Sequence, residues 1–170
     1  MTNDQRNRRR KRLVIITFLA VVAIAAAIFF FSSESGDQSN DTSSCFAVLY
    51  LRVFHPNYDK LPDEERTALM MNAQFAVRKT AHFLEYAALG FFLRLFLYGI
   101  RLHNPPAFVL TLLLGAGYAA LDEYHQKLVG TRTAMWQDAV LDSAGVLFGL
   151  LLATLIVIRR ARKKRRAEQG

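Results

Sequence analysis

The sequence predicts an all-α, polytopic membrane protein: a four-helix transmembrane bundle with a short extracytoplasmic helix before the second span. Three observations carry that reading. Apolar residues are gathered into long runs, both ends of the chain are strongly basic, and ionisable residues recur where three of the runs reach the same side. About half of the 170 residues are hydrophobic, which one soluble domain could match, so it is their segregation into runs that decides the class.

The first span, about 13–31, is the purest. Leu13 to Phe31 holds nineteen residues without a charge, and at about 1.5 Å per residue such a helix crosses roughly 30 Å of hydrocarbon. A basic head before an apolar run also fits a signal peptide. This run is longer than a signal core, and Ile28-Phe29-Phe30-Phe31 offers no small-x-small cleavage site, so an uncleaved anchor is expected. The loop 32–78 follows. Its opening, Ser32 to Ser44, is rich in Ser, Asp, Asn and Gln and reads as a flexible linker with too little apolar surface to pack. Cys45 to Phe54 is apolar and too short to span, and is expected along the membrane interface. Cys45 is the single cysteine, so no intramolecular disulfide forms, and the residues before it lack the apolar lead-in of a lipoprotein acylation site.

From Pro62 to Lys79 the pattern turns helical. Pro62 suits a first-turn position, Asp63, Glu64 and Glu65 suit the positive end of the helix dipole, and Leu69, Ala73 and Ala76 mark one side. This helix is expected to run directly into the second span, about 80–98. The third span, about 105–123, starts where Asn104 can cap and Pro105 or Pro106 can occupy the first turn. The fourth, about 139–158, is interrupted chiefly by Asp142, and Trp136 before it is an interfacial anchor type.

Charge sets the expected orientation. The tail 1–12 carries six Lys or Arg and the tail 159–170 carries seven, and basic flanks stay in the cytoplasm. Two cytoplasmic ends require an even number of crossings, in agreement with four. The loop from Ser32 to Arg78, with seven acids against four bases, then lies outside. Beside apolar spans, the basic tails are expected to meet anionic lipid headgroups and no nucleic acid.

With this topology the start of the second span, the end of the third and the start of the fourth share the extracytoplasmic leaflet. Ionisable groups at membrane depth are costly and usually face a bundle interior or polar cavity, so their convergence marks a candidate site. On a helix, Arg78, His82 and Glu85 share one face, as do Asp122, His125 and Gln126 if the third helix continues that far. Asp138, Asp142, Gly145 and Gly149 form one stripe, and the two glycines make a small-xxx-small seam that turns the aspartates toward the bundle. Glu85 lies about 9 Å further in than Lys79 and Asp142 about 6 Å below Asp138, so the site is expected to be shallow.

The candidate ligand-binding set is Lys79, His82, Glu85, Asp122, Glu123, His125, Gln126, Arg132, Asp138 and Asp142, with His82, Glu85, Asp122 and Glu123 the candidates for acid–base roles. Duller readings stand beside these. His82 can fix helix packing, Asp138 can cap a helix, and Arg132 can anchor at the interface or grip a phosphate. Arg94 and Lys127 read as snorkelling residues, and Phe83, Phe91, Phe92 and Phe96 as lipid-facing or packing surface. No familiar zinc or two-metal spacing is present, so neither a metal nor a cofactor is expected.

The motifs Arg78-Lys79-x-x-His82-Phe83-x-Glu85-Tyr86-x-x-Leu89-Gly90, Asp122-Glu123-x-His125-Gln126, Arg132, and Asp138-x-x-x-Asp142-x-x-Gly145-x-x-x-Gly149 resemble the VanZ-like family of small bacterial membrane proteins. The resemblance covers roughly 13–158. It implies a bacterial plasma membrane location and a part in glycopeptide or lipoglycopeptide (teicoplanin-type) resistance, without a defined mechanism. The family's usual Asn at the position of Asp142 implies that a neutral side chain suffices there and that Asp142 has no metal role.

Two functions are weighed. The first is a non-catalytic protein that binds a lipid-linked or amphiphilic ligand, or a glycopeptide, at the outer leaflet. The second is an intramembrane enzyme acting on a lipid headgroup or cell-wall precursor by His/carboxylate acid–base or metal-assisted chemistry. A proton-coupled carrier is disfavoured because the cytoplasmic half is nearly bare of polar residues. The small-residue seam is also compatible with docking on other spans, a homo-oligomer included.

Overall fold

The computed structural model describes residues 2–34, 36–129 and 135–169, all arranged as helices and short connections. The order is α1 (Asn3–Ser32), α2 (Gly36–Phe54), a 3-10 turn (Tyr58–Lys60), α3 (Asp63–Gly99), α4 (Pro106–Val129) and α5 (Trp136–Gln169). Four of these, α1, α3, α4 and α5, are long and apolar enough to cross a membrane. Large apolar side chains remain exposed along all four, among them Ile16, Phe30, Leu84, Leu113, Leu121 and Leu155. That is the pattern of a bundle whose outer surface faces hydrocarbon rather than water.

Contacts at the two ends fix the topology. Arg10 on α1 donates to the carbonyl of Gly99 at the end of α3, and Phe18 packs on Phe96 with ring centroids 5.7 Å apart, so α1 and α3 are antiparallel. At the opposite end, Ser32 on α1 bonds Asp122 on α4. Tyr118 donates to the Ala25 carbonyl. α1 therefore runs with α4, while α3 runs with α5.

The α3–α5 contact is the most extensive in the molecule. It is made by glycine. A Cβ on Gly145 would strike the carbonyl of Phe83, one on Gly149 the carbonyl of Ala87, and one on Gly90 the backbone of Val146. The two parallel backbones thus touch along a seam without intervening side chains. Gly115 of α4 likewise leaves room for the Val146 side chain, which sits in a buried cluster with Ile28, Tyr86, Leu89 and Ala119.

The expectation of a flexible linker at Ser32 to Ser44 is corrected by α2, which begins at Gly36 and takes in the apolar segment to Phe54 as one helix. Ser39, Ser43, Ala47 and Leu51 are buried at successive four-residue intervals, and the small side chains of the first three let α2 lie close against α3. Thr42 and Ser44 donate their hydroxyls to backbone carbonyls four residues earlier in the helix, which satisfies them without ending the helix. Ala47 and Leu51 pack with Tyr58 and Ala73 in a second cluster. The opposite face leaves Phe46, Leu49, Val53 and Phe54 exposed.

As the acidic first turn suggested, α3 is continuous from Asp63 through the span, with Pro62 just before its first residue. Its 37 residues amount to about 55 Å, well beyond the roughly 30 Å of a hydrocarbon core. Its first turns therefore extend past the membrane, where α2 packs antiparallel to them.

Candidate functional site

Helix rise places the polar residues at one depth. His82 precedes Gly99 by 17 residues, Asp122 follows Pro106 by 16, and Asp142 precedes Ile158 by 16. Each separation is about 24–26 Å, so all three side chains stand close to the membrane boundary opposite the two chain ends.

At that level every spanning helix contributes. His82 Nδ1 of α3 lies 3.9 Å from Asp142 Oδ2 of α5. Asp122 Oδ2 of α4 accepts from Ser32 Oγ of α1 at 2.8 Å and from Gln126 Nε2 at 3.1 Å, and Gln126 Nε2 also reaches Ser32 Oγ at 3.2 Å. One ligand-type atom from each of His82, Asp122 and Asp142 falls within 4.8 Å of the others. Asp122 is 4% and Asp142 1% exposed. Carboxylates this deeply withdrawn are stable only where other groups face them.

Nearer the end of the bundle, Lys79 of α3 forms an ion pair with Asp138 in the first turn of α5. Arg78 donates to the Asn40 side chain of α2. Glu123 Oε2 accepts from the Met135 amide at 3.3 Å, which ties the end of α4 to the start of α5.

These groups surround a cavity of about 360 Å³, within the ~300–1,000 Å³ range of small-molecule pockets. Its polar lining comes from Asn40, Arg78, Lys79, His82, Glu123, Gln126, Asp138 and Asp142, and its apolar lining from Phe75, Met135 and Leu141. A second, more apolar cavity of about 230 Å³ lies between α1, α2 and α3, and Arg78 and His82 line it too. The two share a wall.

Of the residues expected to form a ligand site, Lys79, His82, Glu123, Gln126, Asp138 and Asp142 line the larger cavity, and Asp122 stands with His82 and Asp142 beneath it. Glu85 faces the smaller cavity, together with Glu34, because it lies on the α1 and α2 side of α3. His125 turns away from both. Its ring packs on Phe29 of α1 at 4.6 Å between centroids. Arg132 lies outside the described residues.

Arg94, expected to snorkel, is buried at 1% exposure. It donates to Asn104 Oδ1 at 2.6 Å and to Thr154 Oγ1 at 3.3 Å, so the loop before α4 folds back over it and shields it from lipid. Asn104 thereby serves Arg94. Lys127 is exposed, as a residue reaching the interface would be. Phe83 packs on Phe148 and Phe96 on Phe18, so part of the aromatic face of α3 serves helix packing.

Three contributors escaped the sequence reading: Ser32, Asn40 and Tyr86. Ser32 and Asn40 looked like linker composition. Tyr86 was visible only as part of a motif, although its position four residues after His82 puts it on the same face. Its hydroxyl, fully buried beside Asp122 and Asp142, makes no hydrogen bond of standard geometry.

A family model described as VanZ/LLP1 matches residues 15–157 of the chain. No curated protein and no solved structure matches it.

Proposed function

Since the chain belongs to the VanZ/LLP1 family and carries four helices able to cross a membrane, we propose that its polar cavity binds the headgroup of a lipid-linked or amphiphilic ligand. With the basic tails in the cytoplasm, the cavity opens at the outer leaflet. Arg78 and Lys79 suit a phosphate, Glu123 and Asp138 suit an ammonium or amide group, and Phe75 and Leu141 suit the start of an acyl or prenyl chain. Occupancy of this kind on a cell-wall precursor would limit access of glycopeptide or lipoglycopeptide antibiotics, in keeping with the teicoplanin-type resistance that the family resemblance implies.

The observation that carries the reading is the composition of the cavity wall: cations, carboxylates and apolar side chains from three helices around one space. The test is native mass spectrometry of the full chain in lipid nanodiscs, comparing wild type with Lys79→Ala and Glu123→Gln. A co-purified lipid lost in both variants supports it, and identical lipid profiles refute it.

A second reading, an intramembrane enzyme on the same class of ligand, is favoured by the proximity of His82 and Asp142, a pairing in which a carboxylate can orient an imidazole for proton transfer. His82→Gln separates the two. Retained lipid with lost turnover favours the enzyme, whereas retained lipid with no turnover in wild type favours the binder.

A further inference from the structure

The floor of the cavity presents a problem of charge. Asp122 and Asp142 approach each other from neighbouring helices at membrane depth, each at least 96% buried. The Lys79 ammonium is engaged by Asp138 nearer the bundle end. Ser32 and Gln126 both donate to one oxygen of Asp122. Asp142 Oδ2 is buried without a hydrogen bond, and the Tyr86 hydroxyl, buried beside Asp122 and Asp142, makes none of standard geometry. Native proteins rarely leave buried polar atoms unpaired without something else to satisfy them.

We propose that His82, Asp122 and Asp142 bind a first-row divalent cation, Zn²⁺ or Mn²⁺, at the floor of the cavity, with Tyr86 facing the ion or its bound water. An imidazole and two carboxylates form a mixed nitrogen and oxygen donor set, which suits zinc or manganese better than magnesium or calcium. Geometry permits it. Two ligands each about 2.1 Å from an ion stand at most about 4.2 Å apart, so donors within 4.8 Å of one another need only small side-chain rotations to close on it. The Ser32 and Gln126 bonds hold Asp122 in place, the outer hydrogen bonding that metal-binding carboxylates require. A dication would neutralise both aspartates where water cannot, and would engage the Asp142 oxygen that makes no hydrogen bond and has the His82 imidazole 3.9 Å away.

No periodic sequence signature announces this site, because its three donors come from three helices. It shares the cavity with the amphiphile reading without depending on it, and its test uses no lipid ligand. The full chain in nanodiscs is exchanged free of loosely held ions and titrated with Zn²⁺ or Mn²⁺, with bound metal measured by elemental mass spectrometry. Near-stoichiometric retention is expected in wild type, with at least tenfold weaker binding in His82→Gln, Asp122→Asn and Asp142→Asn. Tyr86→Phe, which removes only a hydroxyl, is expected to weaken binding severalfold while helicity and elution volume stay unchanged. In wild type loaded with Mn²⁺, pulsed electron paramagnetic resonance should show coupling to one imidazole nitrogen. Binding of neither ion above that of empty nanodiscs, binding undiminished in folded Asp142→Asn, or absence of the nitrogen coupling overturns the proposal. If the metal is lost from the variants while the lipid profile is unchanged, the cation site stands, and the amphiphile reading is decided by Lys79→Ala and Glu123→Gln alone. The reverse result sinks the cation site alone.

Discussion

Gly149 of α5 lies directly against the carbonyl oxygen of Ala87 on α3, so close that a methyl group in place of its hydrogen would overlap the backbone. Four residues earlier, Gly145 meets the Phe83 carbonyl in the same way. The obstructing atoms belong to the main chain and have no rotamer to escape into.

Gly149→Ala is therefore expected to force α3 and α5 apart and to cost on the order of 3 kcal/mol, at the upper end for overpacking. Gly117, with open space where its side chain would be, is the matched control and should tolerate alanine. Thermal aggregation in detergent, followed by size exclusion, compares the two.

Lys79 and Asp138 are each about a quarter exposed, so their ion pair is only partly shielded from solvent. Asp138→Asn should lower stability by no more than about 1 kcal/mol. By leaving Lys79 without its carboxylate, it should raise the retention of anionic lipid severalfold. Lipid extraction from purified wild type and variant measures the difference.

Arg94→Lys is a severe change despite the kept charge. The guanidinium reaches Asn104 and Thr154 through different nitrogens, whereas an ammonium is a point donor. Buried without a carboxylate partner among the described residues, the lysine should cost about 2–3 kcal/mol. A lowered midpoint in thermal unfolding would establish it, and an unchanged midpoint would refute it.

Cys45 is an exposed thiol on α2. If both tails lie in the cytoplasm, as the charge pattern predicts, it faces outward, and a membrane-impermeant maleimide added to intact cells should label wild type and leave Cys45→Ser unlabelled. Labelling seen only after the cells are opened would reverse the orientation and put the cavity in the inner leaflet.

The four spans were legible because membrane depth imposes run length, and the carboxylates were legible because they interrupt those runs. Convergence of His82, Asp122 and Asp142 followed from counting crossings. What could not be read was which way a helix faces its neighbours. Glu85 and His125 share helical stripes with cavity residues, yet a modest angular offset sends one toward α2 and the other onto Phe29. α2 was hidden because serines normally favour turns and caps. Here they serve as small side chains that let two helices approach, a role defined by the partner surface around Ala73. Arg94 was misread for the same reason: its partner Asn104 is a loop residue that only the fold carries back to it.

The glycine contacts between α3 and α5 have a consequence for movement. The pair is fastened at one end by Lys79 with Asp138 and at the other by Arg94 with Thr154, so sliding one rod along the other would break both fastenings and drive backbone into backbone. Those two rods form a rigid keel. A guest in the cavity therefore meets a wall of fixed register on that side, while α2 borders it through the Arg78–Asn40 contact and the Gln74–Ser44 hydrogen bond.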